Sequence, residues 1–364
     1  MERRAIRPRI ADVAREAGVS KTAVSFAFNN PDRLSPGTAT RIREVADTLG
    51  YRPHPVARML TQRQTMTLGV LTPQALAVTF SNPFFALFSE GVAHAAEDLG
   101  YDLRFISPLQ GSLALAMGRA SVDGVVAIGL SGEHAEVGQI QRAGLPMVLV
   151  DTDDLPGHSS VVVDDESGAR AAAEHLIALG HRSFVVVAVE RPQPEDGRPS
   201  DGGWSAEGVT GRRLRGYQAA FAAAGLELAP EAVVAGRASI DGGASAFHRA
   251  WALGLRPTAV LAMSDAMAVG VMSTARELGL RVPHDLSVVG FDDVDLAAHV
   301  DPPLTTVHQP IRQKGSDAVR LLLAEVENRE ANRPEHLRLE TRLIVRGSTG
   351  PVPQGRQEVP PAHG

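Results

Sequence analysis

The sequence predicts an α/β protein in which a small helical N-terminal unit precedes a larger body of alternating strands and helices. Residues 1–64 carry 12 Lys and Arg against 6 Asp and Glu, whereas the rest of the chain carries 24 and 36. Behind that basic segment, short apolar runs alternate with helical patterns up to about residue 349. A chain of 364 residues is also too long for one ordinary hydrophobic core, so several domains are expected.

Composition limits the function classes. The chain has 44% hydrophobic and 21% charged residues, which is typical of a globular protein. It has no cysteine, which excludes a disulfide scaffold, a thiolate metal site and a cysteine nucleophile. Apolar runs are too short to span a membrane, and the basic N-terminus lacks the apolar stretch of a signal peptide. We therefore expect a cytoplasmic protein that does not interact with membranes.

The basic segment predicts three short helices, over about residues 10–17, 21–28 and 36–49. Ser20 and Ser35 precede the second and third helices and are good N-caps. Gly18 and Gly50 follow the first and third, where a left-handed residue ends a helix at low cost. Two helices joined by about four residues form the helix-turn-helix arrangement.

The second helix of such a pair lies in the major groove of DNA. The residues expected to contact DNA from this helix and its cap are Ser20, Lys21, Thr22, Ser25 and Phe26. A small helical hairpin would show the same spacing without binding DNA. The surplus of basic side chains favours the DNA-binding interpretation, because a basic head on an acidic body is typical of a polyanion-binding module.

The stretch "IADVAREAGVSKTAVSFAFNN…TRIREVADTLGYRPHPVARML" resembles the DNA-binding head of the LacI/GalR family of bacterial repressors, without gaps over residues 10–60. The resemblance implies that "RPHPVARML" is a hinge that becomes helical on the operator, with Ala57, Arg58 and Leu60 contacting DNA. Leu60 would wedge between base steps in the minor groove. The alternative for Leu60 is an ordinary apolar linker residue.

Three residues of this head depart from the family pattern. Arg9 stands where a Thr usually caps the first helix, so that cap is lost or replaced. Phe26 stands where many relatives have an Arg, so one base contact becomes apolar. His54 replaces the usual hinge Asn. The departures leave the expected fold unchanged and the operator sequence open.

The body predicts parallel sheet. Its strand-like runs lie at 67–71, 101–107, 123–129, 146–151, 159–165, 183–189, 258–265 and 286–293. Because these runs are apolar without alternation and helices follow them, we expect parallel sheet covered on both faces. Their number is too great for one small sheet. Two doubly wound lobes are therefore expected, with a ligand cleft at the carboxyl ends of the strands.

The body also resembles the same family, whose ligand-binding part is similar to periplasmic sugar-binding proteins. The resemblance is carried in order by "SNPFF", "DGVVAIG", "EHLIALGHR", "RLRGYQAAF", "SDAMAVG", "RVPHDLSVVGFDD" and "PPLTTVHQP". It implies an effector pocket that contains Phe84, Asp151, Arg213, Ser264 and Asp292. A planar guanidinium and carboxylates can bind vicinal hydroxyls in bidentate fashion. The alternative for the two aspartates is that they cap helices or bind neighbouring loops.

The pocket also departs from the pattern of sugar-binding relatives. These often place an aromatic platform in the region that Ala238 and Ser239 occupy here, and many have Asn where this chain has Ser264. Trp204, in the long loop 190–211, could supply the platform from the other side. Packing of Trp204 within a solvated loop is the alternative.

The expected organisation is a helix-turn-helix head over residues 1–52, a hinge and linker over 53–66, and a two-lobed ligand-binding and dimerisation body over 67–349. A disordered tail is expected over 350–364. Within the body, "PPLTTV" is expected to be the last crossover between the lobes, and a helix over 311–328 returns to the first lobe.

These features predict a homodimeric, ligand-responsive transcription regulator that represses genes for sugars or related metabolites and is associated with the nucleoid. Its expected partners are a palindromic operator in double-stranded DNA and a small polar effector. Ligand closing the cleft would alter the hinge spacing. Because the family contains both induced and corepressed members, the sign of the response stays open.

Other classes of protein fit less well. A solute-binding protein would share the body but would carry a signal peptide and no basic head. An enzyme of doubly wound fold would need a nucleophile, a cofactor loop or a metal set, and the sequence shows no such motif. The acidic runs "DTDD" and "DDVD" are commoner as caps or ligand contacts than as metal ligands. We therefore expect no enzymatic activity, no cofactor and no metal.

Overall fold

The computed structural model describes residues 8–52, 64–130, 134, 136–153, 155–190, 207–327 and 333–352. The chain divides into two compact units, residues 1–65 and 66–364. Within the described ranges, no helix has the length and apolar character needed to cross a membrane.

In its described residues, 8–52 and 64–65, the N-terminal unit has three α-helices: α1 (Ile10–Glu16), α2 (Lys21–Asn29) and α3 (Pro36–Leu49). Ser20 and Ser35 each accept a hydrogen bond from the backbone N–H three residues on, at 3.1 and 3.4 Å. Gly18 and Gly50 have φ angles of 63° and 69°. The two predicted N-caps and the two predicted glycines that follow helices therefore all have the expected roles.

The start of α1 shows how the missing Thr cap is replaced. The Arg9 side chain makes no capping hydrogen bond. Asp12 instead accepts the backbone N–H of Arg9 at 2.9 Å through one carboxylate oxygen, and pairs with Arg15 at 2.9 Å through the other. An acidic group in the first turn also suits the positive end of the helix dipole.

The core of this unit is built from small and branched side chains of all three helices: Val13, Ala14, Ala17, Val24, Ala27, Ile42 and Ala46. Four of the seven are alanines, so the helices approach closely. Arg43 in α3 donates from Nε and Nη2 to the carbonyl of Ala27 at 3.2 and 3.1 Å, which joins α3 to the end of α2.

Twelve strands are described in the second unit: β1 (Thr67–Leu71), β2 (Asp102–Ile106), β3 (Gly124–Ile128), β4 (Met147–Val150), β5 (Ser160–Val163), β6 (Phe184–Val189), β7 (Val233–Gly236), β8 (Ala259–Ala262), β9 (Ser287–Asp292), β10 (Thr305–His308), β11 (His336–Leu339) and β12 (Arg342–Ile344). They form two six-stranded sheets, β11-β5-β4-β3-β1-β2 and β12-β10-β9-β8-β6-β7. Only the β10–β12 pairing is antiparallel among these strands. The two predicted lobes of parallel sheet are confirmed.

The helices of this unit are α4 (Leu76–Thr79), α5 (Pro83–Asp98), α6 (Leu113–Gly118), α7 (Val137–Arg142), α8 (Asp165–Ala178), α9 (Gly208–Ala223), α10 (Ile240–Ala252), α11 (Asp265–Glu277), α12 (Asp295–His299) and α13 (Ile311–Glu327). In the first lobe α5 and α13 cover one face of the sheet, and α6 and α7 cover the other. In the second lobe α8 and α9 cover one face, and α10 and α11 the other. Each sheet is therefore buried on both faces, as its apolar strands require.

Among the described strands, the chain passes between the lobes three times, after β5, after β10 and between β11 and β12. The expectation that "PPLTTV" is itself the last crossover is wrong, because Thr305–His308 is a strand of the second sheet and crossing follows at 309–310. A further crossing at 340–341 leads to β12. The prediction that the following helix returns to the first lobe is confirmed, since α13 packs on α5.

The start of the predicted disordered tail also needs correction. The Gly350 N–H donates to Ser287 Oγ at 3.1 Å, and the Val352 N–H donates to the Leu179 carbonyl at 3.0 Å. The chain is therefore bonded to the second lobe as far as Val352. The rest of the predicted tail, 353–364, lies outside the described residues.

Candidate DNA-binding and effector-binding sites

The predicted DNA-contacting residues lie at the start of α2 and one turn further along it. Lys21 and Thr22 are exposed, whereas Ser25 and Phe26 are half-buried. The Arg33 guanidinium lies 5.5 Å from the centroid of the Phe26 ring. Positions 25 and 26 lie about one helical turn beyond positions 21 and 22, so these side chains share one face of the helix. Ser20 caps the helix through its oxygen.

Several predicted residues lie outside the described part of the chain. These are the hinge residues Ala57, Arg58 and Leu60, together with His54 and Trp204. Their expected roles stay predictions. Ala238 and Ser239 are described, and Ser239 caps α10 by accepting the Gly242 N–H at 3.1 Å.

The effector residues expected from the sequence lie mainly where strands end. Asp151 follows β4, Asp292 ends β9, and Ser264 follows β8 by two residues. Arg213 lies on α9 and Phe84 in the first turn of α5. The carboxyl ends of parallel strands meet at one edge of each sheet, which is where a doubly wound fold binds its ligand.

Arg213 is buried and held from several sides. Its Nε donates to Asp165 Oδ1 at 2.9 Å, its Nη1 donates to the Met263 carbonyl at 2.5 Å, and its guanidinium lies 3.5 Å from the Phe291 ring centroid. Burial acts to lower the pKa of Arg213, but the Asp165 and Asp292 carboxylates outweigh it, so the pKa is raised. The cation is therefore permanent and its plane is fixed.

Close packing of α9 against α8 positions Arg213. A Cβ at Gly216 would collide with the backbone oxygen of Glu166, so only glycine allows α9 to lie so near the first turn of α8. Asp165 begins α8, and Arg213 lies about one turn before Gly216. The close approach places the guanidinium within hydrogen-bond reach of that carboxylate.

Asp292 is buried, and its surroundings act on the pKa of its carboxyl in opposite directions. Burial raises the pKa of its carboxyl to about 7, although Arg213, the hydrogen bond from Gln309 and Lys314 act to lower it. Gln309 Nε2 donates to Asp292 Oδ1 at 2.6 Å. Near neutral pH this carboxyl therefore exchanges between acceptor-only and donor forms.

Behind Asp292 lies a second buried carboxyl, Asp265. It accepts the Val294 N–H at 2.9 Å and the hydroxyl of Thr306. Burial, followed by the charge of Asp292, raises the Asp265 pKa well above its ordinary value. Because two neighbouring buried carboxyls resist ionising together, the second lobe retains protons that exposed aspartates would lose.

Three aspartates of the cleft occupy the left-handed region of backbone conformation. Asp151, Asp292 and Asp293 have φ angles of 55°, 127° and 59°. Residues other than glycine adopt this region at a cost of about 1–3 kcal/mol, and such residues cluster at functional sites. Strain at two predicted effector residues supports their assignment to a binding site.

The sequence did not predict the role of Lys314 of α13, which is fully buried and interacts with Asp151, Gln309 and Phe84. Its Nζ donates to Asp151 Oδ1 and Oδ2 at 2.6 and 2.8 Å and to Gln309 Oε1 at 2.6 Å. It also lies 5.1 Å from the Phe84 ring centroid. Through Gln309 it is linked to Asp292.

Helical spacing could have found this lysine. Ile311, Lys314, Gly315 and Ala318 follow the i, i+3, i+4, i+7 pattern of one helix face, and the other three are of types that favour burial. A lysine on that face must therefore be buried and matched by partners. Its partner Asp151 is 163 positions away, which the pattern alone cannot identify.

A second residue that the sequence did not predict, Arg212, bonds both lobes. Arg212 Nη1 donates to Asp153 Oδ1 at 2.7 Å in the first lobe, and its Nε donates to Asp165 Oδ2 at 3.0 Å in the second. The Gly208 N–H adds a further bond to Asp153, at 2.8 Å. Arg212 Nη2 is buried with no hydrogen-bond partner within the described ranges.

Ser264 serves a local structural role. Its Oγ accepts the Met267 N–H at 3.2 Å and so caps α11. The structure therefore brings together Phe84, Asp151, Arg213 and Asp292 through bonds or close charges, while the bonds of Ser264 lie within its own helix. In the described part of the chain, no group of three or more His, Asp or Glu is arranged to hold a metal ion.

A basic helix-turn-helix unit attached to a two-lobed α/β body with a polar network at the carboxyl ends of its strands defines a DNA-binding transcriptional regulator with a sensor. Residues 9–54 match the bacterial regulatory proteins of the lacI family, and residues 173–349 match the periplasmic binding protein-like domain. The HTH-type transcriptional regulator CelR of Thermobifida fusca is 33% identical over 358 residues, which cover 96% of this chain and 100% of that protein. The chain belongs to the LacI family.

Other relatives agree with this family. The HTH-type transcriptional repressor CytR of Escherichia coli K12 is 30% identical, over 94% of this chain and 96% of that protein. Among solved structures, a CelR–cellobiose complex is 31% identical, with a TM-score of 0.68 over 94% of this chain and 100% of that one. A lac repressor dimer bound to operator and the anti-inducer ONPF is 27% identical, with a TM-score of 0.79 over 95% and 100%. The chain is a transcriptional regulator and not an enzyme.

Proposed function

We propose that this regulator is a repressor whose affinity for operator DNA is set by a small polar effector bound in the cleft. The observation that carries the proposal is the polar network at the carboxyl ends of both sheets. Asp151 and Lys314 belong to the first lobe, Arg213 and Asp292 to the second, and Gln309 joins them at a crossover. A ligand that contacts both sides changes the relative stability of lobe arrangements.

The proposed DNA-reading surface is the start of α2. Lys21 and Thr22 are exposed there and would reach base edges, with Ser25 and Phe26 one turn further along. We assign Ala57, Arg58 and Leu60 to the hinge, which supports specificity from the minor groove. The proposed organisation is a head over 1–52, a hinge and linker over 53–66, and a body from 67 to 349.

The regulator acts as a homodimer. The lac repressor that it resembles was solved as a dimer on its operator. Two heads related by a two-fold axis read two half-sites, so the operator is an inverted repeat. The protein works in the cytoplasm, on nucleoid DNA, and a fluorescent fusion that fails to follow the nucleoid would contradict that location.

The effector is a hydroxylated metabolite of the sugar class. CelR, one of the relatives, was solved with cellobiose. Fixed guanidinium and carboxylate groups such as Arg213 and Asp292 suit vicinal hydroxyls, and their burial strengthens each bond. The network is compatible with either sign of response, so the effector acts as an inducer or as a corepressor.

The test is in vitro selection of random duplexes with the full-length dimer. We expect an inverted repeat to be enriched, and a sugar that raises the melting temperature of the protein to change its affinity for that repeat. The matched control is Lys21→Ala/Thr22→Ala, which should fold and bind the sugar but lose the sequence preference. Absence of any preferred duplex, with or without sugars, would refute the proposal.

A further inference from the structure

We propose that Lys314 determines which effector charge the cleft accepts: it cancels the charge of Asp151, so that the site takes an uncharged polyhydroxylated molecule and rejects protonated amines and carboxylates. This inference rests on the proposed function, since it concerns the same cleft. It assigns a specificity role to a residue that lies on the first-lobe side of the network.

The acceptors around Lys314 Nζ match the donors of an ammonium group in number. An ammonium group has three donors, and here three acceptor atoms lie at 2.6, 2.8 and 2.6 Å, two from Asp151 and one from Gln309. The chain contains 36 Lys and Arg, yet only Lys21 and Lys314 are lysines. A compact point charge occupies this fully buried position in a chain whose other Lys and Arg residues, apart from Lys21, are arginines.

The cleft is close to electrical balance. The cationic side chains of the network are Arg212, Arg213 and Lys314, and its carboxylates are Asp151, Asp153, Asp165 and Asp292. Burial raises the pKa of Asp292 to about 7, so at neutral pH this carboxyl holds a proton about half of the time. With that proton in place, and with the buried Asp265 also protonated because its pKa is raised, three cations face three anions, of which Asp153 is about half exposed. A charged effector would add an unmatched buried charge, whereas an uncharged one preserves the balance.

Lys314 controls this balance because it contacts the predicted effector residues of the first lobe. It pairs with Asp151 directly, lies beside the Phe84 ring, and reaches Asp292 through Gln309. Loss of its charge leaves Asp151 as an unmatched anion, which attracts an amine. Loss of the Asp151 charge leaves Lys314 as an unmatched cation, which attracts a carboxylate.

The test uses ligands that differ only in charge. Glucose, glucosamine and glucuronate form one set, and galactose, galactosamine and galacturonate the other. Binding to the full-length protein is measured by calorimetry and thermal shift at slightly acidic pH. We expect the wild type to prefer the uncharged sugar, Lys314→Met the amino sugar, and Asp151→Asn the uronate, each by on the order of 10-fold or more. The double variant Lys314→Met/Asp151→Asn should return to the uncharged sugar.

A control separates charge in the cleft from charge on the surface. Arg170→Met removes an exposed cation from α8 and should leave the order of preference unchanged. Preference of the wild type for a charged sugar, or identical preferences in Lys314→Met and the wild type, would overturn the proposal. If Lys314→Met fails to fold, Asp151→Asn and the double variant carry the same test.

A second readout does not depend on finding the effector. The charged groups that face Asp292 are Arg213, Lys314, Asp151 and Asp265, and the buried phenol of Tyr217 also lies within its electrostatic reach. Among them, Lys314 lowers and Asp151 raises the pKa of Asp292. Comparing the stability of each variant with that of its Asp292→Asn counterpart gives the pH at which Asp292 titrates in the folded protein, here called the pH step. The pH step should therefore lie at higher pH in Lys314→Met and at lower pH in Asp151→Asn than in the wild type. Steps that stay in place would overturn the charge balance.

The two readouts also separate this inference from the proposed function. If sugars of every charge leave both the melting temperature and operator binding unchanged, the sugar effector is wrong, and the pH step alone decides the role of Lys314. If an uncharged sugar regulates operator binding and the variants do not change charge preference, the function stands and this inference falls.

Discussion

The two lysines of this chain lie in opposite environments, one in the head and one in the body. Lys21 is exposed at the start of α2, whereas Lys314 is fully buried and bonded to three acceptor atoms. An exposed cation remains hydrated until a polyanion displaces its counterions. A buried cation must be matched inside the protein. The head therefore presents its charge to a partner, and the body matches its charge within a buried hydrogen-bonded network.

The largest difference between a buried and an exposed charge should be the loss of stability caused by Arg213→Ala. The substitution removes a buried cation from Asp165 and Asp292, so we expect a loss of about 3–5 kcal/mol in the free energy of unfolding and loss of the effector response. The matched control is Arg170→Ala, whose exposed pair with Glu174 contributes less than about 0.5 kcal/mol. Denaturant unfolding measures both values.

Operator binding by the folded fraction of Arg213→Ala should be retained, because the arginine lies in the body. Equal losses of stability in the buried and the exposed variant would show that the cleft charges are not buried in solution. A normal effector response would remove Arg213 from the site.

The next effect concerns pH and the Asp292 carboxyl. Its pKa is raised from 3.8 to about 7 on folding, so between these values the folded protein keeps a proton that the unfolded chain has released. Stability therefore falls as pH rises from about 4 to about 7, by roughly 4 kcal/mol for this group. This contribution is absent in Asp292→Asn, which keeps the contribution of the buried Asp265. The difference between the two melting profiles measures it. A difference that is flat with pH would contradict the burial of this carboxyl.

An intermediate effect is expected from Lys21→Ala. Loss of an exposed groove-reading cation should weaken operator binding by on the order of 10-fold and reduce its salt dependence. Fluorescence anisotropy at several salt concentrations measures both changes. Because the lysine lies in the head, effector affinity should not change. An unaltered operator affinity would move the reading surface away from the start of α2.

The smallest effect should come from a helix cap in the head. Ser35→Ala removes the oxygen that accepts the Thr38 N–H, which should cost about 1 kcal/mol. Hydrogen exchange of the α3 amides should then be faster. The matched variant Ser239→Ala removes the cap of α10 in the body and should leave exchange in the head unchanged. Slower exchange in Ser35→Ala would contradict the capping role.

The head was accessible to sequence reasoning because its rules are local. Ser20, Ser35, Gly18 and Gly50 act within three or four residues of their own position, and each adopts the predicted role. The strands of the body were accessible for a similar reason, since continuous apolar runs need two covered faces. β10 was predicted as part of a crossover. β11 and β12 were missed because they are short edge strands in which leucines adjoin His336, Arg338 or Arg342.

The cleft could be predicted only in part. Asp151, Arg213 and Asp292 were predicted through resemblance, and the structure links them through groups that the sequence did not reveal. Lys314 and Arg212 bond residues that are 163 and 59 positions away. Such pairs depend on how two lobes pack, and a charged side chain on a helix ordinarily faces solvent. Burial of the lysine is therefore a property of the tertiary structure.

The most direct test of the separation between head and cleft uses the two lysines as reporters. Selective labelling of lysine ε-carbons gives one signal for each of Lys21 and Lys314 in the NMR spectrum of the full-length protein. We expect operator DNA to shift the Lys21 signal and a stabilising sugar to shift the Lys314 signal. A stabilising sugar that leaves the Lys314 signal unchanged, or an operator that leaves the Lys21 signal unchanged, would contradict the account.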